Sequence, residues 1–450
     1  MELGSWSVIN LFGGAPSLLG MIPLIVFIVL SLKWTKNPVL ACGVPALVGL
    51  LMAGQSAVDM GNAVMTSVSG FMGQIGIIVM LGSGLSRIMQ ESGVTTVLCH
   101  WIVKGFHINS KKKALLVMMI TLLFVSFALG SNMTAAILAA SLMVPIAARF
   151  GMNPAVTGFA MLIFTMCGAE LSPFFSTNVT ALELTGLSYG QLMVYSILPF
   201  VIVTCVAAFF TCLWLDKRLL KKSNGEQYTA ADGAMDTTEV TREAKVTTIV
   251  FLVAFLAGVI YMMLFGGGFA FVFFYILGLS VVVSIVARKK SVEAVNSFMA
   301  GASGTFSIYI MLIFSDVMLA TITAMGGFDA LASALTGLVG DAMNETLLLI
   351  IASMFGVFGL NGTAAQQMLI LEELFSPMYT AMGLSMVLWS MVLIFGSLIS
   401  NFLFPGGMHV NYLGMGKSKD MRTMMTGCWI VCTVEILAAI IYSIVVPIFV

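Results

Sequence analysis

The chain has 450 residues, of which 60% are hydrophobic and 9% charged, and its 20 Lys and Arg balance 20 Asp and Glu. Water-soluble domains carry about 25% charged residues, so this chain cannot cover its apolar surface in water. Its mean hydropathy of +1.06 places it in lipid as a polytopic protein. The charge balance leaves no basic excess for nucleic acid.

Several apolar runs have the ~20-residue length that spans a bilayer as a helix, and they lack the short alternating segments of a membrane barrel. Cytoplasmic loops attract Lys and Arg, so basic clusters mark the inner face. With the N-terminus outside, a span near Pro16 to Leu32 delivers Lys33 inside. A second, near Pro38 to Ala53, returns outward, and a third, near Gly70 to Gln90, leads to the Lys104 to Lys113 cluster. The N-terminus has no basic region ahead of its first apolar run, which argues against a cleaved signal peptide.

From Ala114 the chain turns at Gly130-Ser131-Asn132-Met133-Thr134 and returns to Arg149. This is either two full spans or a re-entrant hairpin. The polar tip favours the hairpin, because polar backbone at membrane depth must be buried in protein or line a cavity. A span from Pro154 to Gly168 is then interrupted by Glu170-Leu-Ser-Pro-Phe-Phe-Ser-Thr-Asn178, where proline breaks the helix. Gln191 to Leu215 comes back to Lys217. Residues 216–245 are hydrophilic and read as a mobile cytoplasmic linker between a first half, 1–215, and a second, 246–450.

The second half runs Val246 to Phe265, Phe269 to Ala287 and Ser303 to Ala324, with Met325 to Glu345 as an outside loop. A second hairpin, Thr346 to Pro377, turns at Gly359-Leu-Asn-Gly-Thr363. A second broken span is interrupted over Ser400-Asn401-Phe-Leu-Phe-Pro405-Gly-Gly407, and a last span, Thr426 to Phe449, puts the C-terminus outside.

The halves look alike in order. Ser56 to Asn62 resembles Lys290 to Asn296, Asn132 and Thr134 match Asn361 and Thr363, and Gly168, Ser172 and Gly186 match Gly396, Ser400 and Gly414. Five spans, one of them broken, plus a hairpin make an odd number of crossings, so the second copy enters the membrane inverted. The expected fold is an all-α polytopic membrane protein of two inverted repeats. Inverted repeats with broken helices point to a secondary transporter whose site lies at the repeat interface.

Asn and Thr are good N-caps. A helix start offers free N–H groups and a positive dipole end to an anion. Oxygens at the same kink can coordinate Na⁺. The candidate ligands at the tips are Ser131, Asn132, Thr134, Asn361, Gly362 and Thr363, with Asn132 and Asn361 for Na⁺. The breaks add Ser172, Ser176, Thr177, Asn178, Ser400, Asn401 and His409. Intramembrane carboxylates are functional candidates. Glu170, at the first break, and Asp316, mid-span, are the leading proton-coupling candidates; Glu183, Glu372, Glu373 and Glu435 could bind protons too, with structural pairing the favoured reading for Glu435 and Glu372. The seven cysteines lie mostly inside apolar runs and form no CxxC pair, so they read as core residues. No Walker motif or HExxH occurs, so neither an ATP-driven pump nor a zinc hydrolase is indicated.

The Ser131-Asn132-Met-Thr134 and Asn361-Gly-Thr363 tips resemble the duplicated Ser-Asn-Thr motifs of the ion transporter superfamily. That superfamily includes divalent anion/sodium symporters, citrate and gluconate permeases, and sodium/proton antiporters. Here Met133 and Gly362 separate Asn from Thr, and Leu360 stands where the motif has Ser. The resemblance implies two inverted repeats, a homodimer, and a transport domain moving as an elevator. It implies that Asn132, Thr134, Asn361 and Thr363 touch substrate or Na⁺. The expected function is secondary transport of a small organic carboxylate across the cell membrane, coupled to Na⁺ or H⁺, with no other cofactor. Na⁺/H⁺ antiport is the alternative.

Overall fold

The computed structural model describes residues 1–11, 17–30, 37–106, 108–220, 226–229, 232, 241–265, 268–339, 344–357 and 364–448, and among these it contains helices and no strand. In the first half the helices of two turns or more are α1 (Ile22–Val29), α2 (Pro38–Met52), α3 (Ala57–Ser69), α4 (Phe71–Glu91), α5 (Val94–Gly105), α6 (Lys111–Leu129), α7 (Asn132–Arg149), α8 (Pro154–Glu170), α9 (Ser176–Thr185) and α10 (Leu198–Leu220). In the second half they are α11 (Arg242–Phe265), α12 (Phe269–Val286), α13 (Ser291–Ser303), α14 (Phe306–Ala324), α15 (Gly327–Val339), α16 (Glu345–Val357), α17 (Ala364–Met382), α18 (Met386–Leu403), α19 (Gly407–Met415) and α20 (Met421–Val445). Among the described residues, 9 helices are long and apolar enough to cross a membrane, and α1, α2, α8 and α16 are shorter apolar helices. The protein is a multi-pass membrane protein.

Local signals set the boundaries. Asn37 and Asn153 cap α2 and α8 through their side chains, each followed by proline at the first helical position. Ser56, Ser110, Ser131 and Asp420 cap α3, α6, α7 and α20 in the same way. Gly130 and Gly186 end α6 and α9 in the left-handed conformation.

The order of elements recurs. Each half has two apolar helices, a short helix with an acidic residue in its first turn (α3, α13), a span (α4, α14), a connecting helix (α5, α15), and a helical pair (α6–α7, α16–α17). Then come a buried helix that breaks into a shorter one (α8–α9, α18–α19) and a long final span (α10, α20). Helices α3, α5, α13 and α15 were not expected from the sequence, and α15 occupies what read as an outside loop. The arms of the first hairpin, α6 and α7, have 19 and 18 residues, each long enough to cross a membrane on its own.

Packing divides the helices into two bundles. A peripheral bundle joins α1–α4 to α11–α14, with α2 against α14 and α4 against α12, α13 and α14. A central bundle joins α6–α10 to α16–α20, with α6 against α8, α16 against α18, and α10 against α20. Helices α5 and α15 connect them, and the bundles also meet where α4 touches α6 and α9 and where α14 touches α17. Every residue of α8 is buried. Lipid is as apolar as leucine, so such helices associate through close van der Waals packing at small residues. Gly168 shows this: a Cβ there would lie 2.4 Å from the Leu123 carbonyl oxygen of α6.

The linker is shorter than the sequence suggested, because α10 runs through Asp216 to Leu220 and α11 starts at Arg242. Its described part is docked rather than free. The Asn153 side chain donates to the Glu226 carbonyl (3.0 Å), and the Tyr228 hydroxyl donates to the Gly416 carbonyl (2.9 Å). Glu226 accepts from Ser418 and from the Lys419 amide (3.2 Å), and Lys417 pairs with Asp232. The bonds from Lys417 and then Thr229 hold the Asp232 carboxyl down to about 2. Beside this strap, Asp216 is buried and accepts from Lys111 (2.6 Å) and the Asn153 amide (2.8 Å).

Candidate functional site

The last turn of α8 is the hub of the site. Glu170 is 0% exposed, and both its carboxylate oxygens lie 2.9 Å from the Thr177 hydroxyl, which donates to them. The chain leaves helical geometry at Leu171 and resumes it at Ser176, so backbone carbonyls lose their helical partners. Side chains take them up. The Asn178 amide donates to the carbonyls of Glu170 (2.6 Å) and Ser172 (2.9 Å), and the Tyr189 hydroxyl donates to that of Leu171 (2.5 Å). Irregular backbone at membrane depth needs such replacements. Ser172 Oγ and Asn178 Oδ1 remain buried without a hydrogen-bond partner.

The first tip lies against this turn. Gly130 has φ 57, a conformation that favours glycine, and a Cβ on it would sit 3.3 Å from Ser172 Oγ. Ser131 accepts from the Thr134 amide and donates to the Thr134 hydroxyl (3.1 Å). Asn132 accepts from the Met133 amide (2.8 Å), and its Nδ2 lies 3.0 Å from Met166 Sδ on α8. Ser126 donates to the Thr165 carbonyl (2.6 Å), tying α6 to the same turn. Ser131, Asn132, Thr134, Glu170, Ser172, Thr177 and Asn178 therefore come together, while Ser176 opens α9 beside them.

The second break differs in position from the expectation. Ser400 and Asn401 lie in the last turn of α18, bonded to the Ser397 carbonyl (2.8 and 3.4 Å), and the chain leaves helical geometry only at Phe404. Ser397 Oγ is buried without a partner. His409 Nδ1 accepts from the Gly406 amide (3.2 Å), which fixes the imidazole at the start of α19, and His409 Nε2 is buried with no partner. The second tip, with Asn361, Gly362 and Thr363, lies outside the described residues.

The halves interlock here. Helix α9 packs on α17 and α18, and α19 packs on α7 and α8. Thr165 of α8 and Tyr412 of α19 share a buried hydrogen bond of 2.9 Å. Thr165, Tyr412, Ser126 and Tyr189 were missed in the sequence. Thr165, one of two hydroxyls on an otherwise apolar helix that ends in Glu170, was the visible signal. Asp316 is not brought to Glu170. It stands on α14 of the peripheral bundle, within reach of Ser67, next to Ser315, which with Gln366 of α17 approaches Cys42. All seven cysteines are buried and free. Glu372 accepts from Tyr379 and from Trp389 Nε1 (2.6 Å), the structural pairing its position suggested.

Chemically, the site offers acceptors at Glu170, Ser172 and Asn178 and donors at helix starts. Neither α9 nor α19 has a side-chain cap, so their leading amides have no side-chain acceptor. Among the described residues, no three His, Cys, Asp or Glu side chains gather to hold a metal.

Comparison with known proteins bears on the family and the fold. A family model described as citrate transporter matches residues 24–297, and one described as the DctM component of the tripartite ATP-independent periplasmic transporter matches residues 173–447. No curated protein matches significantly. Among solved structures, the chain is similar to MtrF of Neisseria gonorrhoeae, described with a class of antimetabolite efflux pumps, at 14% identity over 94% of each chain and a TM-score of 0.62. It is also similar to the YdaH transporter of Alcanivorax borkumensis, which has an unusual topology, at 15% identity over 95% of this chain and 98% of that one, with a TM-score of 0.60. At such identities the structural likeness shows the fold alone. Each family model covers more than half of the chain. The chain therefore belongs to the ion transporter family that these citrate-transporter and DctM models describe, and it is a secondary transporter rather than an enzyme.

Proposed function

We propose that the protein takes up a small organic carboxylate by secondary transport coupled to Na⁺ or H⁺. The observation that carries this reading is the pair of broken helices whose second segments, α9 and α19, start without side-chain caps. Uncapped helix starts favour anions, by about 0.3–1 kcal/mol each in exposed settings and more where partly buried. The buried acceptors beside them, Ser172 Oγ and Asn178 Oδ1, suit a small cation arriving with the anion. Substrate and ion together would neutralise each other in a site that has no lysine or arginine among its described residues. Asn132 and Asn361 are the Na⁺ candidates, and Glu170 is the proton candidate if H⁺ is the coupling ion.

The two halves are, in this reading, inverted repeats, with the linker between them on the cytoplasmic face and both termini outside. The sparse contact between bundles supports an elevator, in which the central bundle moves against the peripheral one. Exposed apolar side chains on α3 and α13, among them Val58, Met65, Val292 and Val295, give the peripheral bundle a surface on which two copies can meet as a homodimer.

The test is uptake by Asn132→Ala and Asn361→Ala variants that insert normally. Each should lose most transport, because a ligand group at a helix start stabilises bound solute more than it stabilises the fold. Normal uptake in both would remove the paired-tip site.

A further inference from the structure

Glu435 of α20 is fully buried, as Glu170 is, and lies one turn along from Cys432, whose thiol donates to the Ile399 carbonyl of α18 (3.8 Å). Its Oε1 accepts from the Thr204 hydroxyl of α10 at 2.6 Å, and its Oε2 is buried with no partner. The two final spans of the two halves thus cross at this pair. The groups around it carry no positive charge. Cys428 and Cys432 flank it on α20, Cys167 faces it from α8, and Cys205 of α10 adjoins Cys167. Helix α18 has no titratable residue, α16 has only Glu345 in its first turn, and α19 has His409, held by Gly406, and Tyr412, held by Thr165. Glu170, on α8, is the other carboxylate that acts on Cys167. Lys217 lies about 20 Å along α10 from Thr204, and Arg422 a similar distance along α20 from Glu435. A buried carboxylate with one neutral donor and no cation is strongly disfavoured in ionised form.

The seam between α10 and α20 is also polar toward the end opposite the linker. The chain enters α10 through a π turn, Met193–Ile197, a feature frequent at functional sites. Ser196 of that turn shares a 2.7 Å bond with Ser390 of α18, and Tyr442 donates to the Tyr195 carbonyl. Tyr442, partly exposed, lies about 11 Å along α20 from Glu435.

We propose that Glu435 is a second proton-binding site of the central bundle, on a different carboxylate from the Glu170 of the first break. The proton comes from water and rests on the carboxylate, making it a neutral acid; release returns it to water. The inference rests on the assignment as a transporter, not on the identity of the substrate.

Infrared spectroscopy of the full-length protein in liposomes tests this without a substrate. The wild-type minus Glu435→Gln difference should contain a protonated-carboxyl C=O band near neutral pH that fades reversibly as the pH is raised. No such band would overturn the proposal, because Glu435 would then be ionised. A band that persists unchanged to alkaline pH would also overturn it, because the acid would then be a fixed structural group. Should Glu435→Gln fail to assemble, Glu435→Asp should move the band's frequency and keep its titration. An unmoved band in that variant would assign it to another carboxyl and refute the site.

Discussion

The break after Glu170 is closed by side chains, whereas the break after Leu403 is spanned largely by backbone. In the first, Thr177, Asn178 and Tyr189 hold one carboxylate and three carbonyls, and Ser172 and Pro173 are buried. In the second, Pro405 and two glycines carry the chain past an exposed Phe404, and a single imidazole holds the Gly406 amide. The same place in the element order thus serves two purposes. The first break stores polar side chains inside the bundle, so it bears on stability as well as binding. The second leaves backbone accessible, so a ligand can approach it closely.

That contrast predicts unequal costs. Asn178→Ala leaves two buried carbonyls unpaired, at about 1–3 kcal/mol each, and should lower the melting temperature in detergent far more than any variant of the second break. His409→Ala removes one bond, from the buried imidazole to the Gly406 amide, and should cost about 1 kcal/mol. Equal melting shifts would erase the distinction.

The buried helices before the breaks sharpen it. A Cβ on Gly168 meets the Leu123 carbonyl oxygen at 2.4 Å, whereas at the matching Gly396 the nearest atoms are 3.4 Å away. Gly168→Ala should therefore destabilise by about 1–3 kcal/mol through overpacking, and Gly396→Ala should be close to neutral. Thermal melts of the two single variants decide this, and the reverse order would mean that the two crossings are not packed as described.

The strap between the halves gives the smallest effects. Tyr228→Phe removes the bond to the Gly416 carbonyl and should cost about 0.5–1.5 kcal/mol, read as faster proteolysis of the linker. The Asp232 carboxyl is held at about 2, below its ordinary value of about 3.9. Its contribution to docking is therefore fully present above about 4 and is lost only as pH falls toward 2. Linker proteolysis should stay constant from neutral to mildly acidic pH, and a rise near pH 5 would assign the docking to another group.

Much of this was legible in the sequence, and the limits have physical causes. Apolar run length and the placement of Pro173, Pro405 and Gly406 revealed the spans and their interruptions, because those signals act locally. Glu170 stood out as a charge at the end of an apolar helix. The end of α18 was misplaced because Ser400 and Asn401 look like breakers but bond back to Ser397 inside the helix. Helices α5 and α15 were hidden because they are too short to span and sit between longer runs. The linker read as mobile because its composition is polar. Its docking depends on Asn153, Gly416 and Ser418, which lie far away in sequence. Thr204, 231 residues from Glu435, left no local trace at all.

The central claim is coupled transport of a carboxylate through the site at the breaks. Its most direct test is uptake into proteoliposomes across a panel of small mono-, di- and tricarboxylates, under imposed Na⁺ or pH gradients, with wild type beside Asn132→Ala. We expect at least one carboxylate to accumulate only when a gradient is imposed, with at least a tenfold loss in Asn132→Ala. Accumulation of no carboxylate under either gradient, or gradient-driven uptake that Asn132→Ala leaves intact, would contradict the account.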